Sequence, residues 1–183
     1  MLNLPLPNET MKHGPTKFVT IFLVVVLALA CDSKDKPIVD RAEINAPTFT
    51  MRITEFEEKR FPLSKFCYVF EVKPSGSTEW MMVMNATTDD DVPIPRDQVR
   101  VISKEAAYVF MGDKYAVTRN GGRAWSVWNV NDSIGNVEYP GQFFINEVRI
   151  NSDGTGTIVL VSRSTDRQIL QFRTNDFGQS WRQ

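Results

Sequence analysis

The chain has 183 residues and a formal net charge of -1, with 42% hydrophobic and 23% charged residues. That composition suits one globular domain with a core and excludes wholesale disorder. Lys and Arg (21) balance Asp and Glu (22), so there is no global basic field and nucleic acid is not an expected partner.

The one histidine and two cysteines carry more information. His13 precedes the apolar run Phe18 to Ala30, which follows Lys12 and Lys17 and ends at Cys31. A basic start, an apolar stretch and small residues at its end form the pattern of a secretory signal removed on export. The run falls short of the roughly 20 apolar residues that a spanning helix needs. Counted from Met11 the signal has a conventional length, so Met1 to Thr10 reads as an upstream start, which the precursor mass would test. Residues 1–30 are expected as signal, 31–46 as a flexible tether rich in both charge signs, and 47–183 as the working domain.

Ala28-Leu29-Ala30-Cys31 resembles the lipobox of bacterial lipoproteins, with Ala28 where Leu is usual. The resemblance implies a diacylglyceryl thioether on Cys31, cleavage before it and acylation of the new amino terminus. Each buried methylene contributes about 0.8 kcal/mol, so several chains anchor stably where one is marginal. Asp32, directly after that cysteine, resembles the enterobacterial signal for retention at the inner membrane. It implies a domain on the periplasmic side, held to that membrane by lipid.

From Cys31 onward the chain contains no histidine. That removes Ser-His-Asp and Cys-His hydrolysis and the His-based zinc sites. Carboxylate pairs and Ser-Lys dyads remain open, but no motif announces either. No catalytic residue, cofactor or metal is expected. Cys67 lies in the apolar stretch Phe66 to Phe70 and reads as a buried strand residue; with Cys31 lipidated, an intrachain disulfide cannot form.

Along the domain the pattern is that of strands. Thr48 to Phe56 alternates, placing Phe49, Met51, Ile53 and Glu55 on one face with a late slip. Phe66 to Val72 and Trp80 to Met84 follow, joined by the turn Lys73 to Ser77. An irregular loop, Thr87 to Gln98, carries Asp89, Asp90 and Asp91. Further strands are expected near Val99–Ser103, Tyr108–Gly112, Lys114–Thr118, Trp125–Val130, Phe143–Ile150, Thr157–Ser162 and Ile169–Thr174. No segment shows a long capped helical period. Short helical turns are expected only near Pro95–Gln98 or around Ser133. The class is all-β: a small antiparallel domain of blade-like sheets or a sandwich. Asn151 to Ile158 reads either as an Asp-Gly hairpin turn or as half of a calcium loop, one with Ser162 where the closing Glu belongs.

An internal repeat stands out. Residues 118–125 and 174–181 both read Thr-x-(Asn/Asp)-x-Gly-x-x-Trp. They place Thr118, Asn120, Gly122 and Trp125 in register with Thr174, Asp176, Gly178 and Trp181. Both resemble the Asp-box of sialidase-like propeller blades, which closes the hairpin between a blade's last two strands. The resemblance implies a structural role for these eight residues. A sialidase needs a far longer chain, an arginine triad and a catalytic tyrosine.

Lipobox, all-β domain and Trp-terminated boxes together resemble the periplasmic immunity lipoproteins of type VI secretion systems, especially those paired with lipase effectors. This implies a stoichiometric inhibitor whose partners are a toxin and, through its lipid, a membrane. Surfaces that could meet the toxin are the acidic loop at Asp89, Asp90 and Asp91, and the long turn that holds Tyr139. The rival readings are a non-catalytic lipoprotein subunit of an envelope assembly complex and a carboxylate-based glycan hydrolase.

Overall fold

The structure, a computed structural model, describes residues 36–59, 64–89, 94, 96–133, 143–163 and 167–183. It is all-β, as the alternation predicts, and consists of three antiparallel sheets. The first holds β1 (Ile38–Asn45), β2 (Phe49–Lys59), β3 (Ser64–Pro74) and β4 (Met81–Thr88) in chain order. The second holds β5 (Val99–Val101), β6 (Ala107–Met111), β7 (Lys114–Thr118) and β8 (Ser126–Asn129), again in order. The third holds β9 (Phe143–Ile150), β10 (Gly156–Ser162) and β11 (Ile169–Thr174), with β10 central. A 3-10 turn at Arg96–Gln98 and one helical turn, α1 (Val130–Ser133), fall where the sequence allows them.

The second sheet lies between the other two, and its sequence explains why. Every residue of β6 is buried, and so are four of the five in β7. Ala107, Val109, Met111 and Ala116 join the core shared with Phe49, Met51, Ile53, Phe70 and Val72 of the first sheet. The alternate residues Tyr108, Phe110, Tyr115 and Val117 join Ile145, Val148, Ile158 and Leu160 of the third. An unbroken apolar run such as Ala-Tyr-Val-Phe-Met is what a strand covered on both faces requires.

In the first sheet, Met51 pairs with Val72 and Ile53 with Phe70 on the core face. Glu55 continues that face, is 3% exposed and pairs with Tyr68, whose hydroxyl donates to its carboxylate at 3.3 Å. The slip at the end of β2 arises because the opposite face is also covered there, by the cluster of Phe56, Cys67 and Val69.

Two elements differ from the sequence expectation. Strand β1 occupies Ile38–Asn45, within the stretch read as tether, and pairs along β2 from Ile38↔Phe56 to Asn45↔Thr50. Only Ala42 of β1 is buried, so the strand carries almost no apolar signal and is held by its ladder. Strand β4 begins at Met81 and runs to Thr88, later than expected. Trp80 lies outside it, with the Arg52 guanidinium 4.1 Å and the Lys73 ammonium 5.0 Å from its ring centre.

Overpacking the interface between the first two sheets tests this arrangement. Ala116→Leu, at a fully buried position, is expected to lower stability by about 1–3 kcal/mol in urea unfolding. Val127→Ala, at a position 43% exposed, should change it by less than about 0.5 kcal/mol.

Candidate functional site

The two boxes fold alike around the same set of threonine and Asn/Asp hydrogen bonds. Thr118 Oγ1 donates to Asn120 Oδ1 at 3.0 Å and accepts the Gly122 N–H at 3.1 Å, while Asn120 Oδ1 accepts the Ala124 N–H at 2.9 Å. In the second box Thr174 Oγ1 donates to Asp176 Oδ1 at 2.7 Å and accepts the Gly178 N–H at 2.9 Å; Asp176 Oδ1 accepts the Ser180 N–H at 2.9 Å. The carboxylate makes one bond more, from the Ser180 hydroxyl at 2.6 Å. A short side chain with two acceptor sites is needed at this position to close the turn.

Each box is also the dock by which its sheet meets the preceding one. A Cβ on Gly122 (φ +83) would lie 2.8 Å from the Phe49 side chain in β2, and Phe49 meets Trp125 edge-on with centroids 5.8 Å apart. A Cβ on Gly178 (φ +80) would strike the Tyr115 hydroxyl in β7 and lie 2.9 Å from the Trp181 ring; Tyr115 meets Trp181 edge-on at 5.9 Å. The Tyr115 hydroxyl donates to the Phe177 carbonyl at 3.2 Å, and burial pushes its phenol up from the ordinary value. Thr118, Asn120, Gly122, Trp125 and their four counterparts are thus brought together as two packing units, and the threonine hydroxyls and the acceptor oxygens of Asn120 and Asp176 are used within their own turns.

Between the second and third sheets a hollow of about 260 Å³ opens beside the second box, lined by Tyr115, Trp128, Leu160, Phe172 and Trp181. Phe172 is the residue that β11 contributes to it, and Gln179 and Ser180 of the second box line it too. The repeat points to this end of the fold.

The expected partner-binding loops contribute little here. Asp89 is an exposed residue 4.0 Å from Lys65 Nζ, an ion pair of small worth. Asp90, Asp91 and Tyr139, together with Cys31 and Asp32, lie outside the described residues. Cys67 is buried, as a core position should be, at 1% exposure. It is, however, disulfide-bonded rather than a plain apolar residue. The chain has only two cysteines, so an intrachain bridge and a thioether on Cys31 exclude each other.

Asn151 to Thr155 forms the hairpin turn between β9 and β10. The Asn151 N–H donates to the Thr155 carbonyl at 2.7 Å, and Gly154 has φ +87. Asp153 Oδ1 accepts from the Thr155 hydroxyl at 2.7 Å and its N–H at 2.9 Å, which holds that carboxyl below the ordinary range. The turn accounts for the residue types that also suit a calcium loop. Among the described residues no cluster of three or more His, Cys, Asp or Glu side chains has metal-binding geometry.

No protein-family model and no curated protein sequence matches the chain. Among solved structures it is similar to the crystal structure of polysaccharide lyase Uly1, with 16% identity and a TM-score of 0.34. The match covers 70% of this chain and spans about a quarter (26%) of the lyase.

Two predictions follow from the boxes. Gly76→Ala, at φ +84 with open space around it, meets only the backbone penalty of about 1–3 kcal/mol. Gly178→Ala adds the collision with Tyr115 and Trp181 and should cost clearly more in the same unfolding assay.

The second concerns acid. Burial raises the Asp176 pKa, but hydrogen bonds from Ser180, Thr174 and Gln179 outweigh it, leaving the value below the ordinary 3.8. A depressed folded-state pKa stabilises the protein above pH 3.8, and that contribution disappears as pH falls through the folded value. Asp176→Asn reproduces the first box's Asn120 and should remove this part of the acid limb in a pH series of unfolding midpoints. An unchanged limb would refute the assignment.

Proposed function

We propose that this chain is a lipid-anchored periplasmic immunity protein. It binds a type VI secretion toxin of lipase type and neutralises it by stoichiometric occlusion, with no chemistry of its own. The observation that carries this reading is the lipobox Ala28 to Cys31, which precedes a β domain without a single histidine. In support, the repeated motif residues are occupied in docking sheets, so the most enzyme-like pattern in the sequence is used structurally. Anchoring at the membrane surface, where a lipase must act, raises the inhibitor's local concentration there. Asp32 places the anchor at the inner membrane in this reading.

The test is expression of the toxin encoded beside this gene, directed to the periplasm, with and without this protein. Cells carrying the wild-type chain are expected to survive. Cys31→Ala should abolish fatty-acid labelling, release the chain from membranes and weaken protection by about 10²-fold or more through lost local concentration. Equal killing with and without the wild-type chain refutes immunity. The state of the sulfur tests the anchor separately. On this reading the mature protein carries the thioether on Cys31 and a free thiol at Cys67, in place of the disulfide that the structure gives Cys67; membrane-extracted protein is expected to show this, and a mature chain whose two cysteines are bridged to each other refutes it.

A further inference from the structure

On the β5 and β9 side of the junction between the second and third sheets lies a cleft of about 570 Å³. Strand register places its lining. Arg100 pairs with Tyr108, so both project from one face of the second sheet, the face on which Tyr108 joins the core shared with Val148 and Ile158. The Tyr108 hydroxyl crosses to the third sheet and donates to the Val148 carbonyl at 2.8 Å, which ties the floor of the cleft to both walls. One wall carries Asp97 of the 3-10 turn and Arg100 of β5. The other carries Asn146, Glu147 and Arg149 of β9 and Asn151 just after it.

Asn146 owes its place to a bulge. Val159 of β10 pairs with Glu147 and the next residue, Leu160, with Ile145, so Asn146 is the extra residue between them. Bulges re-aim side chains, and this one brings to the cleft an amide that both donates and accepts. Among the described residues no side-chain hydrogen bond or ion pair engages Asn146, Arg100 or Asp97. Asn151 donates its side-chain N–H to Thr155 at 3.0 Å and keeps its side-chain oxygen.

The charges cancel wall by wall. Asp97 and Arg100 share one wall, and Glu147 and Arg149 form an ion pair at 2.6 Å on the other. A ligand of single sign meets as much repulsion as attraction there, and a zwitterion finds no separation of charge to match. What the lining offers instead is a mixture of donors and acceptors from guanidinium, carboxylate and amide groups. The floor adds one more: burial raises the Tyr108 phenol above its ordinary value, against the lowering by Arg100 and Arg149 and with the help of Glu147, so it stays a neutral hydroxyl. A ligand whose polar atoms each donate and accept suits such a lining, and that is the property of a hydroxyl group.

We propose that the cleft between β5 and β9 is a binding site for a neutral glycan. Sugar hydroxyls donate to Asp97 and Glu147 and accept from Arg100 and Arg149, and Asn146 does both. The volume lies in the range of small-molecule sites and receives one or two sugar rings. This activity is additional to immunity and does not rest on that reading.

The experiment titrates the full mature chain with cellobiose and with two disaccharides of the same linkage, one built from glucuronic acid and one from glucosamine. Slightly acidic buffer keeps the carboxylates ionised and the amines charged. Cellobiose is expected to shift the amide NMR signals of Asn146 and Asn151, with a Kd of about 1 mM or below. Both charged disaccharides should bind about threefold more weakly, or worse. Asn146→Ala, at an exposed position, should leave the fold intact and weaken cellobiose binding about fivefold. Arg100→Glu makes the lining acidic and should turn the preference to the glucosamine disaccharide. Glu147→Gln makes it basic and should turn the preference to the glucuronic acid disaccharide. These opposite shifts keep the test decisive if one variant misfolds. A wild-type preference for either charged disaccharide overturns the proposal. So does the absence of binding by all three, or a set of shifted signals that avoids β5 and β9.

Discussion

Two threonine hydroxyls carry this architecture. Thr118 and Thr174 each donate to the next-but-one side chain and accept the N–H of the box glycine. That pair of bonds turns the chain tightly enough to present the glycine, bare of side chain, to an aromatic ring of the preceding sheet. It also swings the closing tryptophan onto the same ring. Phe49 receives the first box and Tyr115 the second. Sheet stacking therefore does not depend on apolar area alone; it is keyed at two points, one per interface, by the same local device.

The keying sets what each sheet can do. The middle sheet is locked on both faces and has no surface left for recognition beyond its short edges, β5 with three residues and β8 with four. β8 runs directly into α1, where the Asn131 side chain exchanges hydrogen bonds with the Phe143 backbone at 3.1 Å in both directions. This also occupies the start of β9, whose Ile145 N–H donates to the Gly112 carbonyl at 2.7 Å. Tyr108 completes the seam, its hydroxyl donating to the Val148 carbonyl at 2.8 Å. The junction of the second and third sheets is thus held by hydrogen bonds on its β9 side and by the second box, through Tyr115 and Trp181, on its β11 side.

Much of this was legible in the sequence. The repeat marked both closing turns, because its chemistry is local: a hydroxyl, an amide or carboxylate, a glycine and a tryptophan within eight residues; that each turn also docks its sheet on the preceding one depends on contacts distant in sequence, to Phe49 and Tyr115. The unbroken apolar run of β6 and the alternation of β2 marked the double-sided and single-sided strands. β1 was illegible because its only buried side chain is Ala42, and a strand held by backbone pairing leaves no trace in hydropathy. Cys67 read as a core residue from its apolar neighbours. Its disulfide was illegible, because bridging depends on distance across the fold and the lipobox assigned the second sulfur elsewhere.

Exposed edges invite unwanted pairing, and folds usually blunt them. Here the blunting is uneven. β1 carries Asp40, Arg41 and Glu43, charges of both signs that suit no single strand. β4 meets β3 across a bulge between Phe70 and Glu71, which interrupts its register and leaves Met81 and Met82 partly exposed. β5 and β8 are short, and β9 is occupied at its start. β11 has six residues in regular register with β10, charge of one sign at its end and an apolar hollow beside it. Arg173 and Arg182, placed directly opposite each other, disfavour pairing of this end of the sheet with a basic or identical strand, because like charges in that relation repel.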